Sequence, residues 1–216
     1  MGLRSRGDLT NRKSLRESLL QTPEEDEIHM DPNVWGPALW DLLFFICLRN
    51  PDKPKQMARI FTLLETILPC RDCRRSYVAY KNQFPFSEAA DPAMWLWTIH
   101  DMVNQKLGKI CISFEKLKRR YDVFSVTTHD LIVLDVYCIV AFASQKPSDV
   151  LEFMKCVSAL LPAPFFKLPE LIAKRVMLES NLLYELFDIA VQLHLHHGLP
   201  TTNRLAFETR YGRAQA

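Results

Sequence analysis

The sequence predicts an all-α protein in two parts, and three observations carry that prediction. The chain of 216 residues holds only six glycines. From Trp35 onward hydrophobic residues recur at intervals of three and four, and prolines separate the segments so defined. Neither half contains an alternating pattern long enough for a strand, and no internal repeat is visible.

Residues 1–30 run from a basic start to the acidic QTPEEDE with little apolar periodicity, so they are expected to form a flexible arm whose 14–20 stretch can turn helical on contact. Helices are then expected near 35–48, 54–67, 70–83 and 91–108, with a short one at 113–121 for which Ser113 is the N-cap. After Tyr121 the text becomes more apolar. Segments near 127–144 (capped by Thr127 or Thr128), 147–162 and 168–197 form the second block, the last with Pro169 in its first turn and Gly198 just past its end. The domains expected are an arm at 1–30, a helical domain at 31–122 and a C-terminal helical domain at 123–216 that serves interaction or dimerisation.

A hydrophobic content of 48% is enough for a core or two. The formal charge of +2 is near balance, and no Lys/Arg stripe alternates with aromatics, so nucleic acid is not an expected partner. No signal-type apolar segment opens the chain, and the longest apolar stretch, 131–143, falls about five residues short of the ~18 needed to span a bilayer and carries Asp135. Ser5 and Arg6 follow Gly2 out of register with a myristoylation site. The expectation is a soluble intracellular protein with no membrane span.

Of six cysteines, only Cys70 and Cys73 form a motif, in LPCRDCRRS. Cys47, Cys111, Cys138 and Cys156 read as buried small hydrophobes. A Cys-x-x-Cys pair at the start of a helix is suited to redox chemistry, because helix amides and nearby cations stabilise thiolate; Arg71, Arg74 and Arg75 are expected to do so here. Taken alone, the motif also fits half of a zinc site or a thioredoxin-like dithiol. Zinc needs a second ligand pair, and only the single residues His100 and Cys111 are near. A thioredoxin-like unit needs strands. The histidines of HLHH at 194–197 read as solvated cations at a helix end, so no metal is expected. What remains is a helical protein presenting a redox disulfide, which needs an electron acceptor and a pocket for one.

Two stretches offer that pocket. WGPALWDLLFF (35–45) places aromatics at 35, 40 and 44. WLWTIHDMVNQKLGK (95–109) places Leu96, His100, Val103, Asn104 and Leu107 on one helical face, where a His and an Asn among apolar neighbours are unusual for a plain core. The order WGPxxW, Cys-x-x-Cys, then W-L-x-x-x-H-x-x-V-N-x-x-L-x-K resembles the Erv/ALR family of FAD-linked sulfhydryl oxidases. The resemblance covers residues 35–121. It is most similar to the compact forms encoded by large cytoplasmic DNA viruses, which share the WGP opening and an ending like ISFEKLKRRY.

The resemblance implies a four-helix bundle plus one short helix, with FAD at its mouth. It assigns Cys70 and Cys73 to the active-site disulfide, Cys73 against the flavin and Cys70 as the outer sulfur that incoming thiolates attack. Trp35, Gly36 and Trp40 match the flavin-contacting opening. His100, Asp101, Val103, Asn104, Lys106 and Lys109 match the adenine- and phosphate-contacting segment, and Tyr121 falls where many relatives place a Trp beside the cofactor. Departures are equally specific. Phe44 stands where a His is common, Asn50-Pro51 replaces a Tyr-Pro, and Asp101 replaces an Asn. Trp97 and Phe114 occupy the positions of a structural disulfide, so an apolar contact is expected in its place.

The implied activity is thiol oxidation: electrons pass from a protein dithiol through the Cys70–Cys73 disulfide and FAD to O₂, giving hydrogen peroxide. No second cysteine pair is visible to act as a shuttle, so a small thioredoxin-like carrier is the expected electron donor, and a homodimer is expected. The reading places the protein in the cytoplasm, in a virus that oxidises its own virion proteins. The alternatives are a catalytically inactive helical interaction protein that retains the fold, and a zinc-binding adaptor.

Overall fold

A computed structural model of the chain describes residues 31–87, 89–122, 126–143 and 146–161, together with Asp188, Val191, Leu195 and Gly198. The arm, most of the helix predicted at 168–197 and most of the HLHH run lie outside the described residues. Within them the protein is helical throughout, with no strand. Its elements are α1 (Pro32–Arg49), α2 (Pro54–Ile67), α3 (Arg71–Gln83), α4 (Pro92–Lys106), α5 (Phe114–Asp122), α6 (Val126–Ala143) and α7 (Pro147–Ser158). None of these helices is long and apolar enough to cross a membrane.

Local chemistry sets most of the boundaries. α1, α2, α4 and α7 each carry a proline in the first turn, where the missing N–H costs nothing. Asp31 caps α1 by accepting from Asn33 N–H at 2.9 Å, which starts the helix three residues earlier than its apolar pattern predicts and places Pro37 inside it. Asp91 caps α4 by accepting from the N–H groups of Ala93 (2.8 Å) and Met94 (3.3 Å). α4 stops at Lys106, short of the expected 108, because Gly108 adopts a φ of 63° and lets Lys109 N–H return to Asn104 C=O. Leu107, expected on the inner face, is therefore exposed beyond the last turn. Ser113 caps α5, its Oγ accepting from Lys116 N–H at 3.4 Å. α6 already begins at Val126, so Thr127 and Thr128 lie inside the helix, and α7 ends at Ser158 with Leu160 N–H turning back to Val157 C=O.

α1 is the central helix, buried almost all round from Leu42 to Cys47. It packs on α4 and α6, while α2 packs on α3 and α7. One hydrophobic core runs from Trp35 to Leu160, so Tyr137, Phe153 and Val157 belong to the same packed interior as Phe44 and Phe61. Polar contacts reinforce this seam. The buried Asn50 donates from Nδ2 to Ile46 C=O and to Leu160 C=O, both at 2.9 Å. Arg59 makes a two-pronged pair with Glu152 (2.6 and 2.5 Å), and Thr66 Oγ1 donates to Asp149 at 2.7 Å. At the other end of the bundle Trp97 and Phe114 meet with ring centroids 6.2 Å apart, and Trp97 Nε1 donates to Ile112 C=O. The apolar contact expected between these two residues is present.

Candidate active site: a cysteine pair and an aromatic wall

Pro69 ends the extended link from α2, and Cys70 follows with extended φ and ψ as the N-cap of α3. Its Sγ accepts from Cys73 N–H at 3.3 Å, so the first cysteine does for this helix what an N-cap oxygen does elsewhere. Arg74 closes the corner by donating to Leu68 C=O. Both cysteines are free thiols. Their accessibility is the reverse of what the resemblance implies for substrate attack: Cys70 is only 3% exposed, whereas Cys73 is half-buried.

Of the flanking arginines, Arg74 and Arg75 have partners other than the cysteines. Burial, followed by the neighbouring Cys70, pushes the Cys73 thiol up to about 12; Lys106 is the cation that acts to lower it, and Asp72 raises it. Arg74 is directed to Leu68, and Arg75 lies 3.7 Å from Asp72. Adjacent residues on a helix project in different directions, so closeness in sequence did not translate into closeness to the sulfur.

The second feature is a wall built from α1, α4 and α5. His100 lies against Trp40 (centroids 4.4 Å apart) and against the edge of Phe44 (5.5 Å), and Phe44 reaches Tyr121 at 6.2 Å. Burial lowers His100 to about 4, so the ring is neutral at physiological pH. Asn104 Nδ2 lies 3.3 Å from His100 Nε2; with the amide donating, the imidazole carries its proton on Nδ1. The sign of the linkage follows. His100 titrates lower in the folded protein than in the unfolded chain, so its contribution is complete above pH ~6.5 and is lost as the pH falls toward 4. After discounting for partial exposure the loss is about 1–2 kcal/mol. Urea melts at pH 7 and pH 4.5 are expected to differ by that much more in the wild type than in His100→Phe.

Tyr121 is held by Asp41, which accepts from its hydroxyl at 2.6 Å and from Arg120 at 3.3 Å. Asp41 went unremarked in the sequence because a single acid after Trp40 in an apolar helix reads as a solvent-side residue; its partners lie 79 and 80 positions away. Gly36 is buried, yet a Cβ placed there would meet nothing within 4 Å, so open space adjoins the WGP turn. Trp35 beside it is buried in the core. Lys109 Nζ donates to Asn33 at 3.2 Å and ties the end of α4 to the start of α1. Lys106 Nζ reaches across to Ser76 on α3 at 2.7 Å. Val103 is half-buried, and Asp101 accepts from Gln105 at 2.6 Å, away from the His100–Asn104 pair. Of the other cysteines, Cys47 and Cys138 are buried as expected, whereas Cys111 and Cys156 are half-exposed. Among the described residues no group of three or more His, Cys, Asp or Glu could hold a metal ion.

The structure therefore unites Trp40, Phe44, His100, Asn104 and Tyr121 in one wall, and Lys106 of α4 ties that side of the bundle to Ser76 of α3, the helix that carries the cysteine pair. A neutral aromatic surface with half-buried polar groups, open space beside Gly36 and lysines at its rim suits a flat, anionic cofactor. That surface and a dithiol at the start of α3 are the two parts that dithiol oxidation chemistry calls for.

Comparison with known proteins finds likenesses over this segment of the chain. Residues 37–122 match the model of the Erv1 / Alr family. The chain is similar to the FAD-linked sulfhydryl oxidase ERV1 of Arabidopsis thaliana, with 27% identity over 93 residues, covering 40% of this chain and 49% of that protein. It is similar to Sulfhydryl oxidase 1 of the same plant (35% over 76 residues, 33% of this chain and 14% of that protein). It is also similar to the FAD-linked sulfhydryl oxidase of African swine fever virus, isolate Pig/Kenya/KEN-50/1950 (29% over 96 residues, 41% and 80%). The chain thus spans about half the length of the ERV1 relative and a smaller part of Sulfhydryl oxidase 1. No solved structure matches. The likeness read from three short motifs is upheld over the segment that carries the site.

Proposed function

We propose that the protein is an FAD-linked sulfhydryl oxidase that makes disulfide bonds in protein thiols. The observation that carries this reading is the Cys70–Cys73 pair at the start of α3, joined through α4 to an aromatic wall in a segment similar to FAD-linked sulfhydryl oxidases. Trp40, Phe44, His100, Asn104 and Tyr121 would hold the flavin face, with Gly36 leaving room beside it, and Lys109 and Arg120 would face the phosphates. Bound FAD would supply the two-electron acceptor and the route from it to O₂, giving hydrogen peroxide.

The chain's own part is thiol–disulfide exchange. A substrate thiolate attacks Cys70 in the Cys70–Cys73 disulfide; the S–S bond breaks and Cys73 leaves as thiolate. A second substrate thiolate attacks the mixed disulfide, so the substrate departs oxidised and Cys70 leaves with the remaining electron pair. Two electrons now reside on the cysteine pair, and net turnover converts one dithiol and one O₂ to one disulfide and one H₂O₂. Cys70 is buried as a thiol, so a substrate must open the Pro69–Arg71 corner to reach it. That requirement favours a donor protein that docks at this corner over a free small thiol.

The proposal extends to a small thioredoxin-like carrier as electron donor, a homodimer, and a cytoplasmic role in virion protein oxidation. α6 and α7 cover part of α1 and α2, so a dimer would form through another face. Oxygen uptake with dithiothreitol, and its dependence on FAD, tests the reaction itself. Gly36→Leu fills the open space and is expected to weaken FAD binding by on the order of tenfold or more with little change in folding. Unchanged FAD affinity in that variant, measured by flavin fluorescence, would remove Gly36 from the cofactor site.

A further inference from the structure

We infer that Lys106, fixed by Ser76, is a positioning residue for thiol exchange: its ammonium stabilises Cys73 as the leaving thiolate. The inference rests on the oxidase reading and adds a role to a lysine otherwise assigned to the cofactor.

Three observations place the charge. Cys73 and Ser76 are three residues apart and share one face of α3, which sets their Cβ atoms about 5–6 Å apart. Ser76 Oγ donates to Asp72 C=O at 2.8 Å, which leaves its lone pairs free to accept from Lys106 Nζ at 2.7 Å. Lys106 is the last residue of α4, where the helix C-terminus favours a cation, and no carboxylate among the described residues pairs with it. The hydroxyl therefore anchors the ammonium on the face of α3 that carries Cys73.

The surroundings explain why such a charge matters. Burial, Cys70 and Asp72 all disfavour negative charge on Cys73, and Lys106 opposes them. Arg74 and Arg75 are engaged with Leu68 C=O and Asp72, and Arg71 is exposed. When the Cys70–Cys73 bond breaks, the electron pair goes to Cys73, and exchange speeds up as the leaving thiol becomes more acidic.

The test uses Cys70→Ser protein, in which Cys73 cannot form the disulfide, and follows iodoacetamide labelling of the Cys73 peptide by mass spectrometry from pH 7 to 10. Lys106→Met is expected to slow labelling at a given pH by about threefold to tenfold, as expected for losing a nearby, partly solvated charge. Lys106→Arg should restore most of the rate, and Ser76→Ala should move it in the same direction as Met by a smaller factor. Equal rates in the Lys106 and Lys106→Met proteins would overturn the inference, as would Lys106→Arg being as slow as Met. FAD affinity of each variant is measured separately. A Lys106 effect on labelling in a protein that binds no FAD would sink the oxidase reading and leave this electrostatic role standing; FAD-dependent turnover with no Lys106 effect would do the opposite.

Discussion

Cys73→Ser is expected to fold, to retain FAD and to lose dithiol oxidation by on the order of 10³-fold or more. The loss follows from chemistry, because a serine oxygen cannot form the disulfide that receives substrate electrons. The fold should survive because the cap of α3 uses the backbone N–H of residue 73, which a serine keeps, as donor to Cys70 Sγ. Cys73 is also only half-buried, so a stability change of about 1 kcal/mol or less is expected. Oxygen consumption and a thermal melt on the same preparation check both halves. A variant that kept a tenth of wild-type turnover would show that electrons bypass the pair.

Removing residues 123–216 is expected to abolish cooperative folding and, with it, FAD retention. Tyr137, Phe153, Met154 and Val157 are fully buried side chains in the core that also holds Phe44 and Phe61. Each contributes about 1.5–3 kcal/mol by burial alone, and the buried residues from Val133 to Leu160 together outweigh the roughly 5–15 kcal/mol that keeps a domain folded. The cut would also strip Asn50 of its Leu160 partner, Arg59 of Glu152 and Thr66 of Asp149. Circular dichroism and a urea melt of residues 1–122 read the outcome. A soluble fragment with a sharp transition and full-length FAD affinity would mean that α6 and α7 are an appendage.

The sequence revealed what local rules govern. Prolines between segments, Ser113 as a cap and the apolar spacing placed the seven described helices to within a few residues. Misplaced ends trace to particular residues: Asp31 starts α1 before its apolar pattern begins, and Gly108 stops α4 by taking a conformation that the pattern ignores. Long-range partners were illegible. Asn50 read as the loss of a family tyrosine, yet it clamps the end of α1 to Leu160, 110 residues away. Asp41 carries no motif, and only the fold brings Tyr121 and Arg120 to it. The cysteine pair was visible from its spacing, but its electrostatics were not. Arg74 and Arg75, beside it in sequence, have other partners, and the cation that acts to lower Cys73 comes from the end of α4.

An anaerobic titration with a dithiol, followed by air, tests the central claim most directly. The account predicts that the purified protein, as isolated or after FAD is added, absorbs near 450 nm, that dithiothreitol bleaches this band, and that air restores it with one peroxide per dithiol consumed. A protein that stays colourless after FAD is added, or whose flavin resists the dithiol while Cys70 and Cys73 are intact, would contradict the account.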